Sequence, residues 1–109
     1  PAPHLDLVLN AQQMDGVADS SVRAFYGIHC FHHFPQPRAF LSELQRTLSV
    51  GGGCILIEPY FGAVSKLLYP NLFASERFDM VQPEWENPTA GSMSNANQAL
   101  SYIVFFRDR

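Results

Sequence analysis

A dense group of histidine and cysteine side chains lies near the middle of the chain. His29, Cys30, His32 and His33 fall within five residues, and Glu58 follows a later apolar run. A histidine or a carboxylate at a strand end can act as a general base, so His29 and Glu58 are the candidate catalytic residues. The structural alternatives are packing or hydrogen bonding for His29, and helix capping or pairing with an arginine for Glu58.

The same group raises the alternative of a zinc site, because imidazole and thiolate are zinc ligands. The adjacent side chains of His32 and His33 point in different directions, and no second pair stands at metal-ligand spacing. We therefore predict no metal site.

The run Gly51-Gly52-Gly53 lacks the Gly-Lys-Ser pattern of a phosphate loop and follows a predicted helix, which indicates a helix stop. The sequence contains no Gly-x-Ser-x-Gly motif, so a serine hydrolase is not supported.

Composition limits the classes of partner. The 109 residues carry 7 basic and 10 acidic side chains, a net charge of -3, which is one small domain without a basic run. We therefore expect no nucleic-acid partner. The two cysteines are too few for a disulfide scaffold and indicate reduced thiols and a cytoplasmic location. The sequence contains no apolar stretch of about 18 residues, so we expect no membrane partner.

The elements that must position these residues alternate between strand and helix. Short apolar runs predict buried strands over Leu5–Asn10, Val22–Ile28 and Cys54–Ile57. A helix is predicted between the last two, because apolar residues recur at three- and four-residue spacing after Pro37. The glycine run ends that helix. This order predicts an α/β fold with a doubly wound sheet.

The second half has weaker patterns. We predict a short helix over Phe61–Tyr69, and a loop or lid over Asn71–Asn97 with one helical turn near Ser75–Met80. The apolar run Gln98–Phe106 could be a helix or a strand. We favour a helix that starts near Asn95, with that residue as its cap.

The predicted domain organisation has two parts within residues 1–109. Residues 5–59 form the strand-strand-helix-strand core, and residues 60–109 form a lid or substrate region. Tyr60, Phe61 and Trp85 are the aromatic residues predicted to line a substrate pocket.

The ordered motifs resemble the class I S-adenosylmethionine-dependent methyltransferases, specifically the branch that acts on small molecules. The resemblance covers about Leu5 to Pro59, roughly half of the chain. It rests on Asn10-Ala11, an acidic turn near Asp19, Ala24-Phe25-Tyr26-Gly27, His32-His33-Phe34, Phe40-Leu41-x-Glu43-Leu44-x-Arg46-x-Leu48, and Gly51-Gly52-Gly53-Cys54-Ile55-Leu56-Ile57-Glu58-Pro59.

This resemblance implies S-adenosylmethionine as cofactor and a small-molecule methyl acceptor as substrate. Ligands of open α/β sheets bind outside the carboxyl ends of the strands. The resemblance places Asn10 and Ala11 against the adenine, with the Ala11 N–H reaching a ring nitrogen. It places Gly27, Ile28 and His29 beside the methionine part of the cofactor.

Three departures from the family pattern keep a second hypothesis open, a non-catalytic methyltransferase-like binding or assembly module. The family usually has Asp at the position of Asn10, and an aromatic-Asp pair where this chain has Val22-Arg23. The family's glycine-rich first loop and its ribose-binding acid have no counterpart in these residues.

Because these motifs are missing, we expect the fold to be part of a Rossmann-like methyltransferase sheet that lacks the first two strands. The predicted strand Leu5–Asn10 would then have no neighbour and would expose unpaired backbone groups. We therefore expect either a fragment of a longer chain or completion by another chain, as a homo-oligomer or swapped dimer.

Overall fold

A computed structural model describes residues 7–59, 62–72, 77–87 and 96–108. None of the helices in these ranges is long and apolar enough to span a bilayer. The elements in chain order are β1 (Val22–Ile28), a 3₁₀ turn (Phe31–His33), α1 (Pro37–Thr47), β2 (Leu48–Ile57), α2 (Ala63–Leu72), and α3 (Leu100–Tyr102), which continues as a π-helical turn (Ile103–Arg107).

The two strands form a parallel sheet, with Phe25 opposite Cys54 and Ile28 opposite Ile57. Parallel strands require a crossover, and α1 provides it. Pro37 occupies the first turn of α1, where its missing N–H costs no hydrogen bond. The predicted strand over Val22–Ile28, the helix after it and the returning strand are confirmed.

The predicted strand over Leu5–Asn10 is wrong where the structure describes it. Residues 7–9 are irregular, and Asn10 forms only an isolated antiparallel bridge with Gln13. The first two residues of the predicted range lie outside the described part. Within the described ranges no strand offers these residues a ladder, and a local turn competes because Asn10 Oδ1 accepts the Gln12 N–H at 2.9 Å.

The three glycines lie inside β2 rather than in a helix stop, so that prediction is also wrong. The register moves from Val22 opposite Leu48 to Ala24 opposite Gly53, which is a bulge in β2. Gly51 has a φ of 75°, and a Cβ on Gly52 would lie 2.8 Å from the Arg23 carbonyl oxygen. The bulge therefore needs glycine for its backbone conformation and for close approach of β1.

Outcomes in the second half are mixed. Helix α2 overlaps the predicted helix, but the side chains of Val64, Leu67 and Leu68 are exposed rather than packed. The predicted helical turn near Ser75–Met80 is wrong over 77–80, where the chain is irregular and residue 77 bridges to residue 97. Its first two residues lie outside the described ranges.

The C-terminal segment is helical over Leu100–Arg107, as we favoured over a strand. The predicted cap, Asn95, lies outside the described residues. Asn97 Oδ1 instead accepts the N–H of Ala99 at 3.1 Å and that of Asp79 at 3.0 Å. This side chain therefore ties the start of the helix to the preceding loop.

The main core lies between α1, the 3₁₀ turn and the C-terminal helix. Partly buried residues of both strands, among them Phe25 and Leu56, pack against it. The apolar spacing of α1 therefore has the consequence predicted from sequence, because its apolar stripe is buried. The buried members of this core are Met14, Phe31, Phe40, Leu44, Leu100 and Val104.

The polar face of α1 holds the segment that follows Asn10-Ala11. Arg46 donates to the Met14 and Val17 carbonyls at 3.1 and 2.8 Å, and to the carboxylates of Glu43 and Asp19 at 2.7 Å each. Glu43 in turn accepts the Met14 N–H at 2.8 Å. The hydrogen bond from Arg46 holds the pKa of Glu43 below its ordinary value. We call these contacts the Arg46 clamp.

Arg46→Lys should loosen the segment held by this clamp. A lysine keeps the charge but lacks the planar fork of donors that reaches several acceptors at once. We expect faster hydrogen exchange at the Val17 N–H, which bonds to Met14 O at 3.1 Å, and unchanged exchange at Leu44 in α1. Arg38→Lys, which alters an exposed ion pair with Glu86, is the control. Unchanged exchange at Val17 would show that the clamp does not hold this segment.

Candidate active site

The carboxyl ends of β1 and β2 lie side by side because the strands are parallel. The N–H of His29 continues this pairing and donates to the Ile57 carbonyl at 2.8 Å. His29 has a φ of 49°, in the left-handed region, and this conformation turns the chain into the Phe31–His33 turn. The predicted residues His29 and Glu58 are thus brought to the same edge of the sheet.

Glu58 has a side chain that is only 6% exposed. Its carboxylate accepts the backbone N–H groups of Cys30 at 2.9 Å, Phe31 at 2.7 Å and His32 at 3.4 Å. The ring Nδ1 of His32 lies 2.6 Å from the second carboxylate oxygen. These contacts fill the four acceptor positions of a carboxylate. We call this arrangement the Glu58 anchor.

The anchor keeps Glu58 ionised. Burial alone would raise the pKa of Glu58, but the hydrogen bonds from His32, Phe31 and Cys30 outweigh it and bring the pKa below its ordinary value. The neighbouring thiols behave in the opposite way, because burial raises the pKa of Cys30 and of Cys54. Both cysteines therefore stay protonated near neutral pH and are weak nucleophiles and weak metal ligands.

Two predicted cofactor residues, Ala11 and Gly27, line the same cavity. This Ala11 cavity has a volume of about 150 Å³ and is walled by apolar side chains that include Met14, Phe25 and Leu56. A cavity of similar size in another protein holds one benzene ring, so this one fits a single planar ring. The Ala11 N–H makes no hydrogen bond within the described part of the chain.

The other predicted cofactor residues do not line this cavity. Asn10 is exposed and lies next to Ala11 along the chain, and Ile28 is also exposed on the sheet. His29 is exposed beyond the end of β1, with its ring centroid 6.3 Å from that of His32. The structure therefore brings together one residue from each predicted cofactor stretch and leaves their neighbours outside.

The predicted substrate residues Tyr60 and Phe61 lie outside the described residues. Trp85 packs beside the core, donates its ring N–H to Asp108 at 2.8 Å and lies 4.2 Å beneath the Arg38 guanidinium. It lines neither the Ala11 cavity nor the one described next.

A second cavity, of about 170 Å³, lies between the end of β2 and the C-terminal helix. We call it the Ser101 cavity; it also involves Leu56, so that side chain contributes to both cavities. Sequence reasoning missed this site. The available signal was a serine with three aromatic residues in the run 98–106. The wall of the Ser101 cavity includes Leu56, Glu58, Ser101, Tyr102, Phe105 and Phe106.

The histidine and cysteine residues near the turn after β1 are not grouped as metal ligands in the described part of the chain. No group of three His, Cys, Asp or Glu side chains within the described ranges is arranged to hold an ion. The nearest acceptor of His32 is the Glu58 carboxylate, and the Nδ1 atom of His33 is buried without a hydrogen-bond partner there.

Comparison with known proteins gives the family. A family model described as a methyltransferase domain matches residues 2–56, half of the chain. The chain belongs to the class I S-adenosylmethionine-dependent methyltransferases. No curated protein and no solved structure matches the chain. The α/β order and two-stranded parallel sheet are consistent with part of the Rossmann-like methyltransferase fold. The methyltransferase match includes Ala11, Gly27 and His29, and ends at Leu56, before Glu58.

Glu58→Gln should destabilise the protein by about 3–5 kcal/mol, because it removes the charged partner of a buried pair and turns a carboxylate oxygen into a donor. The Glu58 pKa is lower in the folded chain than in the unfolded chain. Its contribution is therefore complete above the ordinary glutamate pKa of about 4.3 and is lost as pH falls through the folded-state value.

Urea unfolding between pH 3 and pH 7 measures this difference. The gap in unfolding free energy between wild type and Glu58→Gln should narrow toward acid. Glu84→Gln, at an exposed position, is the control. A gap that stays constant across this range would contradict the lowered pKa.

Proposed function

We propose that this protein is an S-adenosylmethionine-dependent methyltransferase that acts on a small molecule. The observation that carries the proposal is the Ala11 cavity, where Ala11 and Gly27 from two separate stretches meet around an apolar space. Family membership supports the same reaction, because this family typically uses S-adenosylmethionine.

The residues present fit one part of the cofactor. The Ala11 cavity has the volume of a single ring, so it can take one ring of the two-ring adenine but not the whole cofactor. The Ala11 N–H can donate to a ring nitrogen, and the exposed Asn10 can accept from the exocyclic amine. The resemblance implies Gly27, Ile28 and His29 for the methionine part. Because Gly27 lines the Ala11 cavity, we assign it to the adenine side and keep Ile28 and His29 for the methionine part.

When bound, the cofactor supplies a methyl group on a sulfonium, which is transferred by in-line displacement. The protein's work is then mainly to hold donor and acceptor in line. His29, exposed at the end of β1, is our candidate for receiving a proton from the acceptor. The contacts of Glu58 support a positioning role for that carboxylate over a general base, because its lone pairs are already engaged.

The remaining proposals concern location and partners. We propose a cytoplasmic location and a small-molecule acceptor, with neither nucleic acid nor membrane as partner.

One face of the sheet carries four large side chains that are each about half exposed or more: Tyr26, Ile28, Ile55 and Ile57. Because parallel sheets are normally covered on both faces, this exposure supports the proposal that further chain, from a longer protein or a second copy, covers the sheet.

The second candidate function is a non-catalytic binding or assembly module of the same fold. It is favoured by the uncharged Asn10 and by a cavity that fits only one ring of the cofactor. Cofactor binding discriminates between the two functions.

Calorimetric titration of the chain with S-adenosylhomocysteine tests the proposal, and we expect saturable binding. Asn10→Asp should tighten it by about fivefold, since a charged acceptor strengthens the hydrogen bond from the exocyclic amine by about 1 kcal/mol. The exposed side chain already accepts the Gln12 N–H, and a carboxylate can do the same, so folding should be unaffected. Asn71→Asp, exposed in α2, is the charge-matched control. Absence of binding by both wild type and Asn10→Asp would overturn the enzyme proposal and favour the module.

His29→Asn tests the proposed base. Asparagine tolerates the left-handed backbone conformation of this residue, so stability should be unchanged. We expect the methylation rate of a panel of small phenols and amines to fall by about 10²-fold or more. A variant with the wild-type rate would exclude His29 as the base.

A further inference from the structure

The helix that forms one wall of the Ser101 cavity lies outside the family match. The end of β2 forms one wall, and Ser101, Tyr102 and Phe105 of the C-terminal helix form the other. The match ends at residue 56, so nothing in it assigns a role to the helix wall. The volume of about 170 Å³ is close to that of a cavity known to hold one benzene ring.

The shape of the helix wall suits a flat ring. The Tyr102 and Phe106 rings are nearly parallel, with an interplanar angle of 12° and centroids 6.2 Å apart. Phe105 is held from behind by Phe31, at a centroid distance of 5.3 Å. Aromatic surfaces of this kind favour an aromatic ligand, which can stack or pack edge to face.

The polar groups in the wall of the Ser101 cavity restrict the chemical class of the ligand further. The Glu58 carboxylate has no lone pair left, because four donors from the turn after β1 occupy it. Ser101 is 6% exposed, and its hydroxyl has no hydrogen-bond partner within the described ranges. A buried hydroxyl without a partner is costly, so a ligand that bonds to it gains affinity.

The negative charge of Glu58 disfavours anionic ligands in this cavity. Glu58 is ionised and buried at the cavity wall, where a second negative charge would be repelled in a low-dielectric environment. A carboxylate or phenolate ligand is therefore disfavoured, whereas a neutral ring with a hydroxyl group is compatible with every group in the wall.

We propose that the Ser101 cavity is the methyl-acceptor site and takes a small neutral phenol, whose hydroxyl bonds to Ser101 and whose ring lies against Tyr102 and Phe105. The position of the cavity at the carboxyl end of β2 supports this assignment, because the His29 N–H bonds to Ile57 at 2.8 Å there and His29 is assigned to the methionine part of the cofactor. Methylation of the phenol would form a carbon–oxygen bond, break the carbon–sulfur bond of the sulfonium and release the phenol proton, for which His29 is the candidate acceptor. The assignment of the ligand as acceptor rests on the proposed function.

Binding of phenol, toluene and benzoate to the 109-residue chain without cofactor tests the proposal. Chemical-shift changes at the amides of residues 100–106 locate the ligand, and titration gives its affinity. We expect phenol to bind about fivefold more tightly than toluene, the value of one hydrogen bond of about 1 kcal/mol. Benzoate should bind at least tenfold more weakly than phenol.

Ser101→Ala should bring the affinity of phenol down to that of toluene and leave toluene binding unchanged, which also shows that the variant is folded. Ser42→Ala, which removes an exposed hydroxyl from α1, should keep the wild-type preference. Equal affinity of the wild type for phenol and toluene, an unchanged preference in Ser101→Ala, or tight benzoate binding would each overturn the proposal.

The two proposals fail separately in these experiments. Phenol selectivity without S-adenosylhomocysteine binding would overturn the methyltransferase function but keep the Ser101 cavity as a phenol site. Binding of S-adenosylhomocysteine without phenol selectivity would overturn the Ser101 proposal alone.

Discussion

The buried Glu58 carboxylate is the interaction on which this end of the sheet depends. It follows β2 directly and accepts hydrogen bonds from three successive residues of the turn after β1. Backbone N–H groups at the start of a short helical turn have no partners within that turn, and a buried carboxylate satisfies them. The charge in turn is tolerable only because these donors and His32 surround it.

The Glu58 anchor positions residues that form the wall of the Ala11 cavity. By holding the turn after β1 against the end of β2, it sets Gly27, Cys30 and Leu56 side by side around the Ala11 cavity. A Cβ at position 27 would lie 2.6 Å from Cys30 Sγ and 3.1 Å from a Leu56 methyl carbon, so any larger residue there would force these two side chains to move. The Arg46 clamp brings the remaining wall, the segment with Ala11 and Met14, onto the same core.

The sheet itself is small, and its exposed face bears on how the protein works. Two parallel strands bury one face on α1 and the C-terminal helix and leave Tyr26, Ile28, Ile55 and Ile57 on the other. Ile28 belongs to this exposed face and is also proposed for the methionine part of the cofactor, and His29 is exposed directly after it. The proposed cofactor site and the proposed covering chain therefore concern neighbouring parts of the molecule.

The sequence alone determined the strand-helix-strand unit, because alternation between apolar runs and a three-to-four-residue apolar spacing is a local property of Val22–Ile57. The family motifs also indicated two residues that line the Ala11 cavity, Ala11 and Gly27, but equally named Asn10, Ile28 and His29, which do not. Four features were decided only by the tertiary structure. They are the irregular conformation of residues 7–9, the bulge at Gly51–Gly53, the anchoring role of Glu58 and the cavity at Ser101. Each depends on partners far along the chain, such as Cys30 and Glu58, which are 28 positions apart, and a local pattern carries no information about such partners.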